Sequence, residues 1–300
     1  MPRIIFIGEC TLDVIFPPDD RTEWPLQLSG RPAGRLLNAA AMLAAAGSDV
    51  TVVGEAARDR LGDLLVGYLR KTGVDTHCID RFSDGGITSS NFIFPTADGD
   101  APCTVIPNRR YPSGENFNAT WPRIDAGDIV VFGGYFAISD RSRQQLTEIL
   151  QFASDRHAII VYLPGFAPAM VPRITKVMPA ILENLEVADV VVTDTADLRN
   201  IFGAADSAQC YRQNIRFYCR TMIDIDPGAH TVSLYHHDLA TTSPLDADAS
   251  TLEAHAAALA MAVRFMAEGH FTRAALDGMT ADACRDLSDA VAAAANTGTL

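Results

Sequence analysis

Short apolar runs rich in β-branched residues recur along the chain, at residues 4–7, 50–53, 129–132, 159–162, 190–192 and 222–225. Each has the length of a strand, and a run that is apolar at every position predicts a strand covered on both faces. Between them, residues 36–46, 61–71, 141–153 and 177–186 place apolar side chains three and four apart, the spacing of a helix with one buried face. Strand alternating with helix predicts a parallel sheet between two helical layers, an α/β/α sandwich. Two segments, about 14–28 and about 79–108, break this rhythm with turn formers and short alternating runs, including residues 88–94. They predict a small β-lid that projects from the main sheet and forms a cover or a homodimer contact. From Ser250 onward the chain is alanine-rich, interrupted at Gly269-His270-Phe271 and Asp277-Gly278, which predicts several packed helices. No internal repeat or linker divides the sequence, so residues 1–300 read as a single domain.

Composition adds limits to this picture. A hydrophobic content of 48% supports a sizeable core. A formal net charge of −13 and a pI near 4.8 set up a field that repels phosphate backbones and anionic lipid, which argues against nucleic-acid and membrane partners. A small neutral ligand suits that field better. The six cysteines, Cys10, Cys78, Cys103, Cys210, Cys219 and Cys284, show no C-x-x-C pairing, as expected of reduced thiols in a cytoplasmic protein. The chain enters its first strand-like run at Ile4, too early for a secretory leader, and no apolar run reaches the roughly 18 residues of a membrane span.

Candidate chemistry begins at Gly8-Glu9-Cys10-Thr11-Leu12-Asp13, where a carboxylate follows the first strand at the edge of the sheet where open α/β folds bind ligands. Asp13 there either holds paired hydroxyls or caps a turn. In Gly30-Arg31-Pro32-Ala33-Gly34-Arg35-Leu36-Leu37-Asn38, a glycine turn enters a helix, so that backbone N–H groups can approach a ligand and Asn38 offers both donor and acceptor.

Taken in order, these pieces resemble the ribokinase-like, or PfkB, carbohydrate kinases. The resemblance continues through Gly54-Glu55-Ala56-Ala57-Arg58-Asp59-Arg60-Leu61-Gly62 and Gly73-Val74-Asp75-Thr76. It implies a ribokinase-like fold and a reaction that moves the γ-phosphoryl of ATP to a sugar hydroxyl. It also implies that Asp13, Gly34 and Asn38 contact the sugar, with Thr88 nearby at the start of a lid strand. In-line transfer needs neutralised phosphates and a base to take the hydroxyl proton. In the family that base is the aspartate closing Gly-Ala-Gly-Asp, ahead of a helix whose N-terminal N–H groups form an anion hole.

Here the motif is replaced by Ala249-Ser250-Thr251-Leu252, and leucine cannot accept a proton. Loss of a positioned base costs about 10² to 10⁴ in rate. Glu253, one residue on, is the candidate substitute base. The family's Asn-x-x-Glu, which organises magnesium and phosphates, stands here as Asp194-Thr195-Ala196-Asp197. These two aspartates either hold magnesium through water or form a helix N-cap with an acidic first turn. The nucleotide turn is reduced to Asp226-Pro227-Gly228, and the central Asp-Pro-Asn-x-Arg to Leu163-Pro164-Gly165-Phe166-Ala167. His236-His237-Asp238 and Arg109-Arg110 read as solvated turns, and His255 as a packed or exposed helix residue.

Two functions remain open at this stage. One is a kinase relative that keeps part of a sugar pocket and has lost or weakened phosphoryl transfer. The other is an active kinase with Glu253 as base, Asp194 or Asp197 at magnesium, and bound ATP. A third, structural partner binding nothing would show a pocket filled by side chains. The uneven erosion favours the first, because base, anion hole and nucleotide turn depart together while the sugar-side residues stay.

Overall fold

The computed structural model describes residues 2–18, 24–82, 86–96, 103–107, 117, 119–166, 171, 173–246 and 251–300. Its centre is a nine-stranded sheet in the order β13-β12-β11-β10-β9-β8-β1-β4-β5. From β5 to β11 neighbouring strands run parallel: β5 (Ile79–Phe82), β4 (Val50–Ala57), β1 (Ile4–Ile7), β8 (Ile129–Gly133), β9 (Ile159–Leu163), β10 (Val190–Asp194) and β11 (Thr221–Asp226). β12 (Thr231–His236) and β13 (Leu239–Pro244) close the sheet as antiparallel ribbons.

The strands fall on the predicted apolar runs because both faces are covered. On β1, Ile4 and Phe6 join a core with helices α1 (Arg35–Ala45), α2 (Arg60–Lys71), α7 (Leu252–Glu268) and α9 (Ala281–Thr297). Ile5 and Ile7 point the other way, into a core with α3 (Asp140–Asp155), α4 (Ile174–Val187) and α5 (Thr195–Phe202). Threonine caps set the alanine-rich end: Thr251, Thr272 and Thr280 accept from Ala254, Ala275 and Ala283 to start α7, α8 (Arg273–Asp277) and α9.

The lid is a separate four-stranded sheet, β3-β2-β6-β7. β2 (Leu12–Ile15) pairs antiparallel with β3 (Ser29–Pro32) and parallel with β6 (Ser90–Ile93), which pairs with β7 (Cys103–Ile106). Its boundaries differ from those read in the sequence. Residues 79–82 belong to the main sheet, because Ile79 and Phe82 are buried against it, whereas Leu12, Asp13 and residues 29–32 belong to the lid. The histidine pair also differs from a solvated turn. His236 is buried at the end of β12 between the Thr221 hydroxyl and the Asp277 carbonyl, and His237 lies 3.3 Å from the Asp277 carboxylate.

Candidate functional site

The C-terminal ends of β1, β8, β9 and β10 converge beneath the lid, where an open parallel sheet gathers ligand contacts. Their first loops carry Glu9, Gly134 and Gly165, and a cavity of about 220 Å³ lies among them. Gly34, Arg35, Asn91, Tyr135 and Leu252 complete much of its wall. Gly34 is the N-cap of α1 at φ 79°, and a Cβ placed there would meet nothing within 4 Å, so its backbone is open to the cleft. Gly134, at φ 64°, makes room for a carboxylate instead, since a Cβ would come 2.7 Å from Glu9 Oε2.

An arginine organises the floor of this cavity. Arg35 Nη1 donates to Asp194 Oδ2 at 2.8 Å and Nη2 donates to Asp197 Oδ2 at 2.9 Å. Asp194 also caps α5 through Oδ1, which accepts from the Asp197 N–H at 2.7 Å. Asp197 Oδ1 accepts from the Phe166 N–H and Oδ2 from the Gly165 N–H, at 2.7 and 3.2 Å. The loop after β9 is thus tied to the start of α5. Burial works to raise the Asp194 carboxyl, but the His255 hydrogen bond and the Arg35 charge outweigh it and hold the group down to about 2. Burial pushes Asp197 up against the pull of Arg35, and the neighbouring Asp194 charge adds to the rise. For Arg35, the two carboxylates more than offset burial and raise its own pKa.

Of the two readings of Asp194 and Asp197, this geometry supports the helix N-cap. All four of their oxygens accept hydrogen bonds from protein donors, and a guanidinium already supplies the positive charge. Among the described residues no group of three or more His, Cys, Asp or Glu side chains is arranged to hold a metal ion. The residues present do not fit a divalent cation, and the N-cap alternative describes what they do.

The anion end is also altered. Thr251 Oγ1 accepts from the Ala254 N–H at 3.1 Å, occupying one of the donors that a free helix N-terminus would offer a phosphate. Leu252, which the resemblance aligns with the family's base, lines the cavity. Glu253, the candidate substitute base, has a half-exposed carboxylate that accepts from Arg31 Nη1 at 3.2 Å. Asp226 Oδ1 caps its own turn by accepting from the Ala229 N–H at 3.0 Å, and Gly228 is exposed in that turn. Ala249 and Ser250 lie outside the described residues.

On the lid side, Asp13 is buried on β2, where Oδ1 accepts from Asn91 Nδ2 at 2.9 Å and Oδ2 lies 3.6 Å from Arg31 Nε. Asn91 carries that polarity to the cavity wall. Arg31 therefore links the carboxylate of the lid to Glu253 at the start of α7. Asn38 spends its amide N–H groups on the carbonyls of Pro32 and Gly34, shaping the glycine turn. Thr88 does not reach the ligand space. It is fully buried, donating to Asp59 Oδ1 at 2.6 Å and accepting from the Ala57 N–H at 3.0 Å, and so anchors the lid strand to the start of α2.

Glu9, Arg31 and Arg35 are the residues that motif reading passed over. Arg35 left a signal: a cation in the first turn of a helix opposes the helix dipole, so it needs carboxylate partners from elsewhere.

The sequence profile described as pfkB family carbohydrate kinase matches residues 1–215. The chain belongs to the pfkB carbohydrate kinase family. A probable fructokinase-3 of Arabidopsis thaliana is 23% identical over 171 residues, 56% of this chain and 48% of that protein, so the chain matches about half the length of this curated relative. Among solved structures, fructokinase with bound ATP from Xylella fastidiosa superposes with a TM-score of 0.78 at 18% identity, covering 99% of this chain and 92% of the other. Aminoimidazole riboside kinase from Salmonella enterica, complexed with aminoimidazole riboside and an ATP analogue, gives 0.75 at 15% identity, covering 97% and 92%. At these identities the superpositions establish the ribokinase-like fold. Within this pfkB-family fold, Leu252 and the ion-paired Arg35 line one cavity.

Proposed function

We propose that this pfkB-family protein binds a sugar or related polyol beneath its lid and transfers phosphoryl groups from ATP slowly or not at all. The observation that carries this reading is Leu252 on the cavity wall, with Arg35 clamped between Asp194 and Asp197 on the floor of the same cavity. A residue that cannot accept a proton stands where the resemblance aligns the family's base, and in the same cavity Asp194 and Asp197 spend their oxygens on protein donors. A cleft with open backbone at Gly34 and polar atoms from Asn91 and Thr11 still suits hydroxyl groups. A relocated base at Glu253 is disfavoured by its bond to Arg31.

Leu252→Asp alone is expected to leave turnover at the background of the unmodified protein. The new carboxylate would share the cavity with the Arg35 guanidinium, and the Thr251 cap would still cover the helix N-terminus. ADP release from the variant with a panel of pentoses and hexoses checks this; sugar-dependent turnover within about tenfold of a typical kinase rate of 1 to 100 per second would show that one residue accounts for the loss. Asp13→Ala, which frees both Asn91 and Arg31, is expected to abolish sugar binding in calorimetric titration. Unchanged affinity would place the ligand elsewhere.

A further inference from the structure

A second cavity, about 520 Å³, opens at the opposite edge of the main sheet from the cleft, where β10 and β11 begin and β12 ends. Its volume lies within the roughly 300–1,000 Å³ of small-molecule sites. Ala188, Thr221, His236 and Leu276 are buried residues of its wall, to which Tyr218 adds a half-exposed ring.

Two arginines on this wall are each held by a carboxylate. Arg273 Nε donates to Asp189 Oδ1 at 2.8 Å, and its Nη1 donates to Ser154 Oγ at 2.9 Å. Asp189 Oδ2 accepts from the Ile160 N–H at 2.8 Å, so both oxygens of that carboxylate are spent. Arg220 Nη1 donates to Asp277 Oδ1, which also lies 3.3 Å from His237 Nε2. Among the described residues, Arg273 Nη2, Arg220 Nε and Nη2, and the Glu186 carboxylate have no protein partner. On Arg220 these two nitrogens form one edge of the guanidinium, with parallel N–H groups that match both oxygens of a carboxylate.

The charges on the wall select among ligands. Three carboxylates, Asp189, Asp277 and Glu186, stand against two guanidiniums. Burial, then the adjacent His237, lower the pKa of His236, which keeps that ring from adding a positive charge. A phosphate or other bare anion would add to the negative excess. An amine alone would leave the Arg220 edge empty. A molecule that carries both signs adds no net charge and offers a carboxylate to Arg220 and an ammonium to Glu186. Tyr218, Ala188 and Leu276 supply apolar surface for the rest of it.

We propose that this cavity binds a free α-amino acid with a large apolar or aromatic side chain, its carboxylate on Arg220 and its ammonium on Glu186. The site stands apart from the sugar cleft and does not depend on that reading. The test is calorimetric titration of the full chain with leucine, methionine, phenylalanine and tryptophan, each beside its amide and its N-acetyl derivative, and with inorganic phosphate. A charge-assisted hydrogen bond is worth about tenfold or more in affinity, so at least one amino acid is expected to bind about tenfold or more tighter than either derivative. Arg220→Gln and Glu186→Gln alter exposed side chains and are each expected to weaken that binding about tenfold while leaving sugar affinity unchanged. Equal affinity for an amino acid and its amide, or affinity untouched by both substitutions, overturns the site. So does binding of phosphate but of no amino acid, or no binding by the whole panel at millimolar ligand.

Discussion

Replacing Arg35 with methionine is expected to destabilise the protein by about 3–5 kcal/mol, because it leaves two buried carboxylates facing each other without a cation. For a chain of this size that corresponds to a fall in Tm of roughly 6–10 °C. The second half of the expectation is more specific. With the guanidinium gone, Asp194 Oδ2 and Asp197 Oδ2 lose their cation, and millimolar magnesium or manganese should restore part of the stability. Saturation to ten times Kd would return about 1.4 kcal/mol. Wild-type protein should show no such metal-dependent gain, since Arg35 holds those oxygens. Thermal denaturation of both proteins with and without the metal chloride checks the two halves together. An Arg35→Met variant that melts within about 1 °C of wild type, or a wild type that gains equally from metal, would mean that the guanidinium is not the resident cation of this site.

Asp224→Val is expected to stabilise the protein, and increasingly so as pH rises. Asp224 is 1% exposed on β11, and neither carboxylate oxygen has a hydrogen-bond partner of normal geometry. Burial raises its pKa to about 7, with the nearby Ser207 hydroxyl opposing and the Asp226, Asp194 and Asp197 charges adding to the rise. The sign follows from proton binding. The folded state holds this proton up to about pH 7, whereas the unfolded chain releases it near 3.9. The charge therefore costs nothing below about pH 4, and stability is lost as pH climbs from there through 7, by up to about 4 kcal/mol. Valine removes the titration and supplies a β-branched side chain to a buried strand. Urea titrations at pH 4 and pH 8 should give near-equal stabilities at the lower pH and a variant about 2–4 kcal/mol more stable at the higher. Glu9, raised over the same range, keeps some pH dependence in both proteins. A variant less stable than wild type at pH 8 would mean that the Asp224 oxygens are satisfied in solution.

The architecture was legible because the sequence states it twice. The apolar runs at 4–7, 129–132 and 159–162 mark strands buried on both sides, and the three-and-four spacing at 36–46 and 61–71 marks the helices over them. The lid was legible as an interruption but not in its limits. Ile79 and Phe82 pair with the main sheet through contacts that lie far off in sequence, and turn formers nearby hide that pairing.

The site was read less well, for a physical reason. Motif comparison tells which residue types have been lost, and Leu252 was visible in that way. It does not tell what fills the space. Arg35 lies 159 residues from Asp194 and 162 from Asp197, so their ion pairs exist only after folding. The same holds for Arg31, which spans 222 residues to reach Glu253. Thr88 and Asn38 were assigned to the ligand from position alone, and their hydroxyl and amide hydrogens turn out to be committed to Asp59, Gly34 and Pro32. A polar residue near a cleft serves either the ligand or the backbone that shapes the cleft, and only the partner atoms distinguish the two.

The most direct measurement is ADP release by the purified full chain with magnesium-ATP and each sugar that binds in calorimetry, at saturating sugar. The expected result is binding without sugar-stimulated ADP release, or release slowed by at least about 10² relative to the usual 1 to 100 per second. Sugar-dependent release at a normal kinase rate, abolished by Glu253→Gln, would contradict the proposed loss of phosphoryl transfer and establish a relocated base.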